Sequence, residues 1–226
     1  MKTWLMVAAE RREFDGVLKR LGSCAAAVSW PGVKFARRAE WKGDRWWMIA
    51  NGPGRDLVKQ ALAASKAETQ TLDGILSTGL CGALDPALRV GDIVVAGEGA
   101  LESSGRFVRG AVHTVDRVVA TAREKRSLRN ETGALAVDME AAAVEAEAGA
   151  RNVPYLCVRV VSDTAGDTLP LDFNRYRNVR GDFSRGRIAL AAVAHPFTVL
   201  PQLMEFDRNC RRAADALGEF LADSRF

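Results

Sequence analysis

Four short apolar runs, each ending on a polar or glycine-rich step, constrain this chain more than any other feature. They are Thr3 to Ala9, Gly74 to Gly79, Ala134 to Met139 and Pro154 to Val161. Each is too short for a helix core and apolar on both alternating faces, the pattern of a strand buried on two sides. Segments of helical spacing lie between or beside them: Arg12 to Leu21, Asp56 to Glu68, Asp116 to Glu131 and Glu140 to Ala150. Doubly buried strands alternating with helices predict an α/β chain with a mixed, largely parallel central sheet between two helical layers. Val33 to Trp41 and Arg45 to Ala50, joined by Lys42-Gly43-Asp44, read as a β-hairpin added to it. The run Gly79 to Leu84 reads as a glycine-rich bend closing a strand, and Ile93 to Ala96 as a further short strand.

With 226 residues, 48% of them hydrophobic, the chain is long enough for one sizeable core. No linker-like tract interrupts it, so a single domain over 1–226 is expected. Lys and Arg exceed Asp and Glu by 32 to 28, a net +4 scattered along the chain, which argues against a nucleic-acid footprint. Cys24, Cys81, Cys157 and Cys210 fit no zinc spacing, and only His113 and His195 could assist, so no metal and reduced cytoplasmic thiols are expected. Met1 to Ala9 reads as a strand rather than a leader. The stretch Ile188 to Phe206 is broken by Pro196 and Pro201 and contains His195, Gln202 and Glu205, so it predicts a surface helix pair and no membrane span.

In an open α/β sheet ligands bind beyond the carboxyl ends of the strands. Four such ends carry chemistry: Glu10 and Glu13, Ser77 to Gly82, Asp138-Met139-Glu140, and Ser162-Asp163. Acids gathered in one cleft acquire the shifted proton affinities that acid–base work needs. Read singly, these residues have plainer uses. Ser-Asp after a strand caps a helix, Glu140 complements a helix dipole, and Gly79 and Gly82 relieve close packing.

The run Ser77-Thr78-Gly79-Leu80-Cys81-Gly82-Ala83-Leu84-Asp85-Pro86, extended through Arg89-Val90-Gly91-Asp92, resembles the glycine-rich signature of the nucleoside phosphorylase/nucleosidase superfamily. Ala136-Val137-Asp138-Met139-Glu140 followed by Val158-Arg159-Val160-Val161-Ser162-Asp163 is similar to that family's ribose and base motifs, in the same order. The closest flavours are the methylthioadenosine/S-adenosylhomocysteine nucleosidases and the hopanoid-associated phosphorylases. The resemblance implies cleavage of the N-glycosidic bond of a 5′-substituted purine nucleoside, with adenine as the expected base, a small-molecule nucleoside as the partner and a homo-oligomer as the assembly. It implies Asp163 as proton donor to the base, oriented by Ser162, Glu140 on the ribose hydroxyls and Met139 packed on the sugar. Ser77, Gly79 and Gly82 belong to the implied substrate-binding bend.

The family divides on its nucleophile. Phosphorolytic members carry an arginine and a hydroxyl residue where this chain has Ser77 and Leu80, so the implied phosphate site is depleted. At the end of the first strand the nucleosidases place a water-activating glutamate, and Glu13 aligns with it best, with Glu10 one register away. The resemblance thus favours hydrolysis without a cofactor. Phosphorolysis, with inorganic phosphate as co-substrate and Arg11 or Arg12 turned inward, stays open, as do an adenosyl-lipid substrate and a non-catalytic nucleoside-binding protein.

Overall fold

The computed structural model describes residues 1–178 and 181–226; positions 179 and 180 of the arginine-rich 174–186 segment lie outside the described residues. Among the described residues ten strands form one sheet: β1 (Thr3–Ala8), β2 (Ala26–Ala27), β3 (Phe35–Trp41), β4 (Asp44–Ala50), β5 (Gly74–Ala83), β6 (Ile93–Ala96), β7 (Val108–Arg109), β8 (Val112–Thr114), β9 (Ala136–Asp138) and β10 (Tyr155–Asp163). Six α-helices of the described residues accompany them: α1 (Asp15–Leu21), α2 (Arg55–Ser65), α3 (Ala122–Thr132), α4 (Ala141–Arg151), α5 (Arg185–Ala194) and α6 (Val199–Asp223). The strand order is β2-β3-β4-β1-β5-β10-β6-β7, with β9 on the far end of β5 and β8 on β9. Its centre, β4-β1-β5-β10, is parallel throughout, so these four strands present their carboxyl ends on one edge.

Alternation along the central strands builds the layers. Trp4, Met6 and Ala8 of β1 join Leu76, Val158 and the α6 residues Leu217 and Leu221 on one face. Leu5 and Val7 join Ile75, Val58 of α2 and Val144 of α4 on the other. The result is the expected three-layer α/β/α arrangement around a mixed, mostly parallel sheet. The β3–β4 hairpin turns at Lys42-Gly43, both with positive φ (55° and 82°), as a tight right-twisted hairpin requires. On the first face α1 and α6 touch backbone to backbone. A Cβ on Gly16 would lie 2.3 Å from the Ala214 carbonyl oxygen, and one on Gly218 would lie 2.2 Å from the carbonyl carbon of Gly16.

Three expectations need correction. The glycine-rich run from Gly79 does not leave the strand: β5 continues to Ala83, because β10 stays paired along it and β9 takes up Gly82 and Ala83. The helix expected from Asp116 begins only at Ala122, behind a capping box in which Thr121 and Glu124 exchange bonds, so residues 116–121 are free to line the cleft described below. Pro196 separates α5 from α6 as expected, but Pro201 does not break a helix. It sits in the first turn of α6, where a missing N–H costs no intrahelical bond. Among the described residues no helix is long and apolar enough to cross a membrane.

Candidate active site

Beyond the end of β1 a 3-10 turn, Arg11–Phe14, carries Glu13 inward. Its carboxyl is buried, accepting 2.7 Å bonds from the backbone N–H of Leu80 on Oε1 and of Glu10 on Oε2. Burial raises its proton affinity above that of an ordinary glutamate, against the opposing pull of those two N–H groups and of Arg159. Gly79 makes this approach possible: its φ is 138°, and an added Cβ would lie 2.5 Å from Glu13 Oε1. Glu10 behaves differently. It remains partly exposed and its carboxylate pairs with Arg12 Nε at 2.7 Å.

The second carboxylate group follows β9. Asp138 is closed within the protein: Oδ2 accepts from Arg159 Nε and Nη2 (3.0 and 2.6 Å) and from the Ala141 N–H, while Oδ1 accepts from Thr114 Oγ1. Arg159 also donates to Ser77 Oγ at 2.9 Å, and its Nη1 is buried without a hydrogen-bond partner. Ser77 thus lies behind the site wall, gripped by a cation from β10. Glu140 accepts a 2.6 Å bond from the Gly54 N–H on Oε1, so the 51–54 bend after β4 uses one of its donors to hold a carboxyl. Burial, and then the neighbouring Asp138 charge, push the Glu140 carboxyl up to about 8.

At the end of β10 the pairing with β5 slips between Val161 and Asp163, setting Asp163 opposite Gly82. Such irregularities re-aim a side chain at the margin of a sheet. Asp163 Oδ1 accepts from Ser162 Oγ at 2.7 Å, and Oδ2 from Lys125 Nζ at 2.5 Å. A Cβ on Gly82 would come within 3.1 Å of Asp163 Oδ2, so the absent side chain leaves room for this pair.

Glu13, Met139, Glu140, Ser162, Asp163 and Gly82 all line one cleft of about 950 Å³, a size suited to a small molecule. Val118 and Val119 line it too, and Asn174 clamps Val118 by accepting from its N–H and donating to its carbonyl. The far wall is apolar, made by Phe173 and Phe183 with Ile188 and Ala192 of α5 and Leu200 and Leu203 of α6. Both arginines are exposed; Arg12 lines the mouth, held by Glu10, and Arg11 does not line the cleft.

Residues 98–197 match the sequence profile of the phosphorylase superfamily. Over 71 residues the chain is 35% identical to the 5′-methylthioadenosine/S-adenosylhomocysteine nucleosidases of Mycobacterium tuberculosis and Mycobacterium bovis. That segment is 31% of this chain and spans 28% of those relatives. A Helicobacter pylori 5′-methylthioadenosine nucleosidase mutant with 5′-methylthioadenosine in its active site superposes with a TM-score of 0.71 at 17% identity, over 98% of this chain and 96% of that one. Futalosine hydrolase of the same organism gives 0.72 at 16%, covering 99% and 98%, and the Neisseria meningitidis nucleosidase gives 0.71 at 20%, again covering 99% and 98%. The chain has the phosphorylase-superfamily fold.

Within this phosphorylase-superfamily fold, the sequence motifs converge as their order predicted, but two basic residues that hold them had not been singled out. Arg159 interrupts the otherwise apolar β10 run, a signal in itself, since a cation in a doubly buried strand needs a buried partner. Lys125 gives no comparable signal, lying in a helix crowded with Arg and Glu. Among the described residues no group of three or more His, Cys, Asp or Glu side chains is arranged to hold a metal ion.

Proposed function

We propose that the protein hydrolyses the N-glycosidic bond of a 5′-substituted purine nucleoside. Glu13 takes a proton from water, and Asp163 delivers one to the base. The observation that carries this reading is the pairing of a buried, proton-avid Glu13 with a hydrogen-bonded Asp163 in one cleft. A base works best when its proton affinity lies near the working pH, and burial moves Glu13 in that direction. A neutral purine leaves far more readily than its anion, so a proton at N7 eases the break, and the carboxylates flanking the sugar stabilise the oxocarbenium-like state. Glu140 and Met139 hold the ribose, and Ser162 fixes Asp163. The likeness to nucleosidases and a futalosine hydrolase supports hydrolysis. So does the mouth of the cleft, where the Glu10 carboxylate beside Arg12 would repel a phosphate. The reading takes residues 1–226 as one domain, with the C-terminal helices closing the cleft.

Base release from methylthioadenosine, S-adenosylhomocysteine and adenosine, with and without phosphate, tests it. Free sugar at a phosphate-independent rate is expected. Ribose 1-phosphate formed only with phosphate would make it a phosphorylase, and tight nucleoside binding without turnover a binding protein. The apolar far wall favours a second reading of the substrate, an adenosyl lipid, which would show as kcat/KM rising with the length of an apolar 5′ substituent.

A further inference from the structure

We propose that Lys125 is a positioning residue that supplies the proton Asp163 passes to the departing base, so that the acid of this site is a lysine–aspartate pair. The inference rests on the N-glycosidic reading above. Lys125 is wholly enclosed. Its ammonium donates to Asp163 Oδ2, to the Thr164 carbonyl at 2.7 Å and to the Asp167 carbonyl at 3.2 Å, one acceptor for each of its three protons. Burying an ammonium is costly unless a charge answers it, and an apolar residue would fill the same space without that cost. Asp163 meanwhile accepts on both oxygens, from Ser162 on one and Lys125 on the other. Both of its oxygens are thus engaged by donors, and the closer of the two donors is the Lys125 ammonium on Oδ2.

The other groups facing the pair do not compete for that role. Cys81 on β5 is buried, which pushes its thiol well up, and burial pushes Cys210 on α6 up to about 12, so both stay neutral. Asp167, in the loop after β10, spends its carboxylate on the Thr164 N–H. Asp138 and Arg159 are closed on each other. Glu124, on the same helix, pairs with Arg117.

The step balances. Lys125 first passes a proton to Asp163 Oδ2; the N9–C1′ bond then breaks, its electron pair stays with the base, and N7 takes that proton from Asp163. Glu13 accepts a proton from water, and the hydroxide so formed bonds to C1′. Lys125 is left neutral and Glu13 protonated, and exchange with solvent restores both after the products leave.

The test is kcat for adenine release from methylthioadenosine across roughly pH 5 to 10, in the parent protein and in Lys125→Met, Lys125→Ala and Asp163→Asn. The parent should hold its rate into the alkaline range. Without Lys125 the proton must reside on Asp163 itself, so the deficit should widen with pH, from about tenfold near pH 6 to about a thousandfold near pH 9. Methylamine should restore Lys125→Ala above pH 8, and tetramethylammonium, which has no proton to give, should not. An equal deficit at every pH with no amine rescue would reduce Lys125 to a packing role and overturn the proposal. If Met and Ala do not fold, Lys125→Gln, which keeps N–H donors for the loop carbonyls, stands in for them, and a parental profile in that variant would also overturn it. Full activity in Asp163→Asn would remove Asp163 as the proton donor and overturn this proposal alone, whereas no base release by the parent would bring down the N-glycosidic reading and this proposal together.

Discussion

The strand ends of β1 and β10 each bring a buried carboxyl to the same cleft, and their surroundings treat it in opposite ways. Among the described residues Glu13 has no cation in direct contact, only two backbone N–H donors, and burial raises its proton affinity. Asp163 is in direct contact with an enclosed ammonium and a serine hydroxyl. In the proposed reaction these two like side chains receive different tasks from their positions: Glu13 accepts a proton, and Asp163 passes one on from Lys125. Glycines make both arrangements possible, Gly79 beneath Glu13 and Gly82 beside Asp163.

The largest expected effect lies on the Asp163 side. Asp163→Asn should lower kcat roughly 10²–10⁴-fold with little change in KM, since it removes the acid and keeps the shape. Glu13→Gln should cost roughly 10²–10³-fold. In the parent the rate should fall on the acid side at a higher pH than an ordinary glutamate would dictate, because the raised group must be ionised to act; a pH–rate profile of kcat/KM reads this directly. Gly79→Ala should displace Glu13 and lower kcat about 10- to 100-fold, with a stability cost of roughly 1–3 kcal/mol measurable by urea unfolding. If its rate were unchanged, the contrast between the two carboxyls would not depend on the close approach at Gly79.

The smallest effect concerns stability. Glu140 stands at about 8, against an ordinary 4.5. Between those values the folded chain keeps a proton that the unfolded chain releases, so this group's contribution to stability falls as pH rises through that window. Glu140→Gln keeps an acceptor for the Gly54 N–H without the charge, and should raise Tm at pH 8 by about 2–6 °C while leaving it nearly unchanged near pH 5.

The central strands were legible because doubly buried strands write themselves as unbroken apolar runs, and Met6, Leu76 and Val158 sit in the core as those runs imply. The start of α3 was equally available in Thr121-Ala122-Arg123-Glu124, a capping-box pattern outweighed by the apolar spacing of Val118 and Val119, which serve the cleft instead. The run at Gly79 misled because glycines more often end a strand than make room inside one. Arg159 was marked as enclosed by its place in the apolar β10 run, but its partner Asp138, 21 positions away, was not, and for Lys125 and Asp163, 38 positions apart, nothing local marked either the lysine or the pairing. The motifs therefore named which acids gather, while which cation pairs with which acid emerged only in three dimensions.

The backbone contact between Gly16 and Gly218 has a consequence for how the cleft keeps its dimensions. Where helices meet through side chains, their spacing drifts whenever a residue is exchanged; here it is set by the thickness of the main chain, the one part of a protein that substitution cannot alter. The turn bearing Glu13 leads directly into α1, and α6 carries both Cys210 and the apolar wall, so this junction works as a fixed gauge between the floor of the cleft and its roof. The wall can be rebuilt for a different ligand by exchanging Leu200 or Leu203 without resetting the distance at which the carboxyl below it stands.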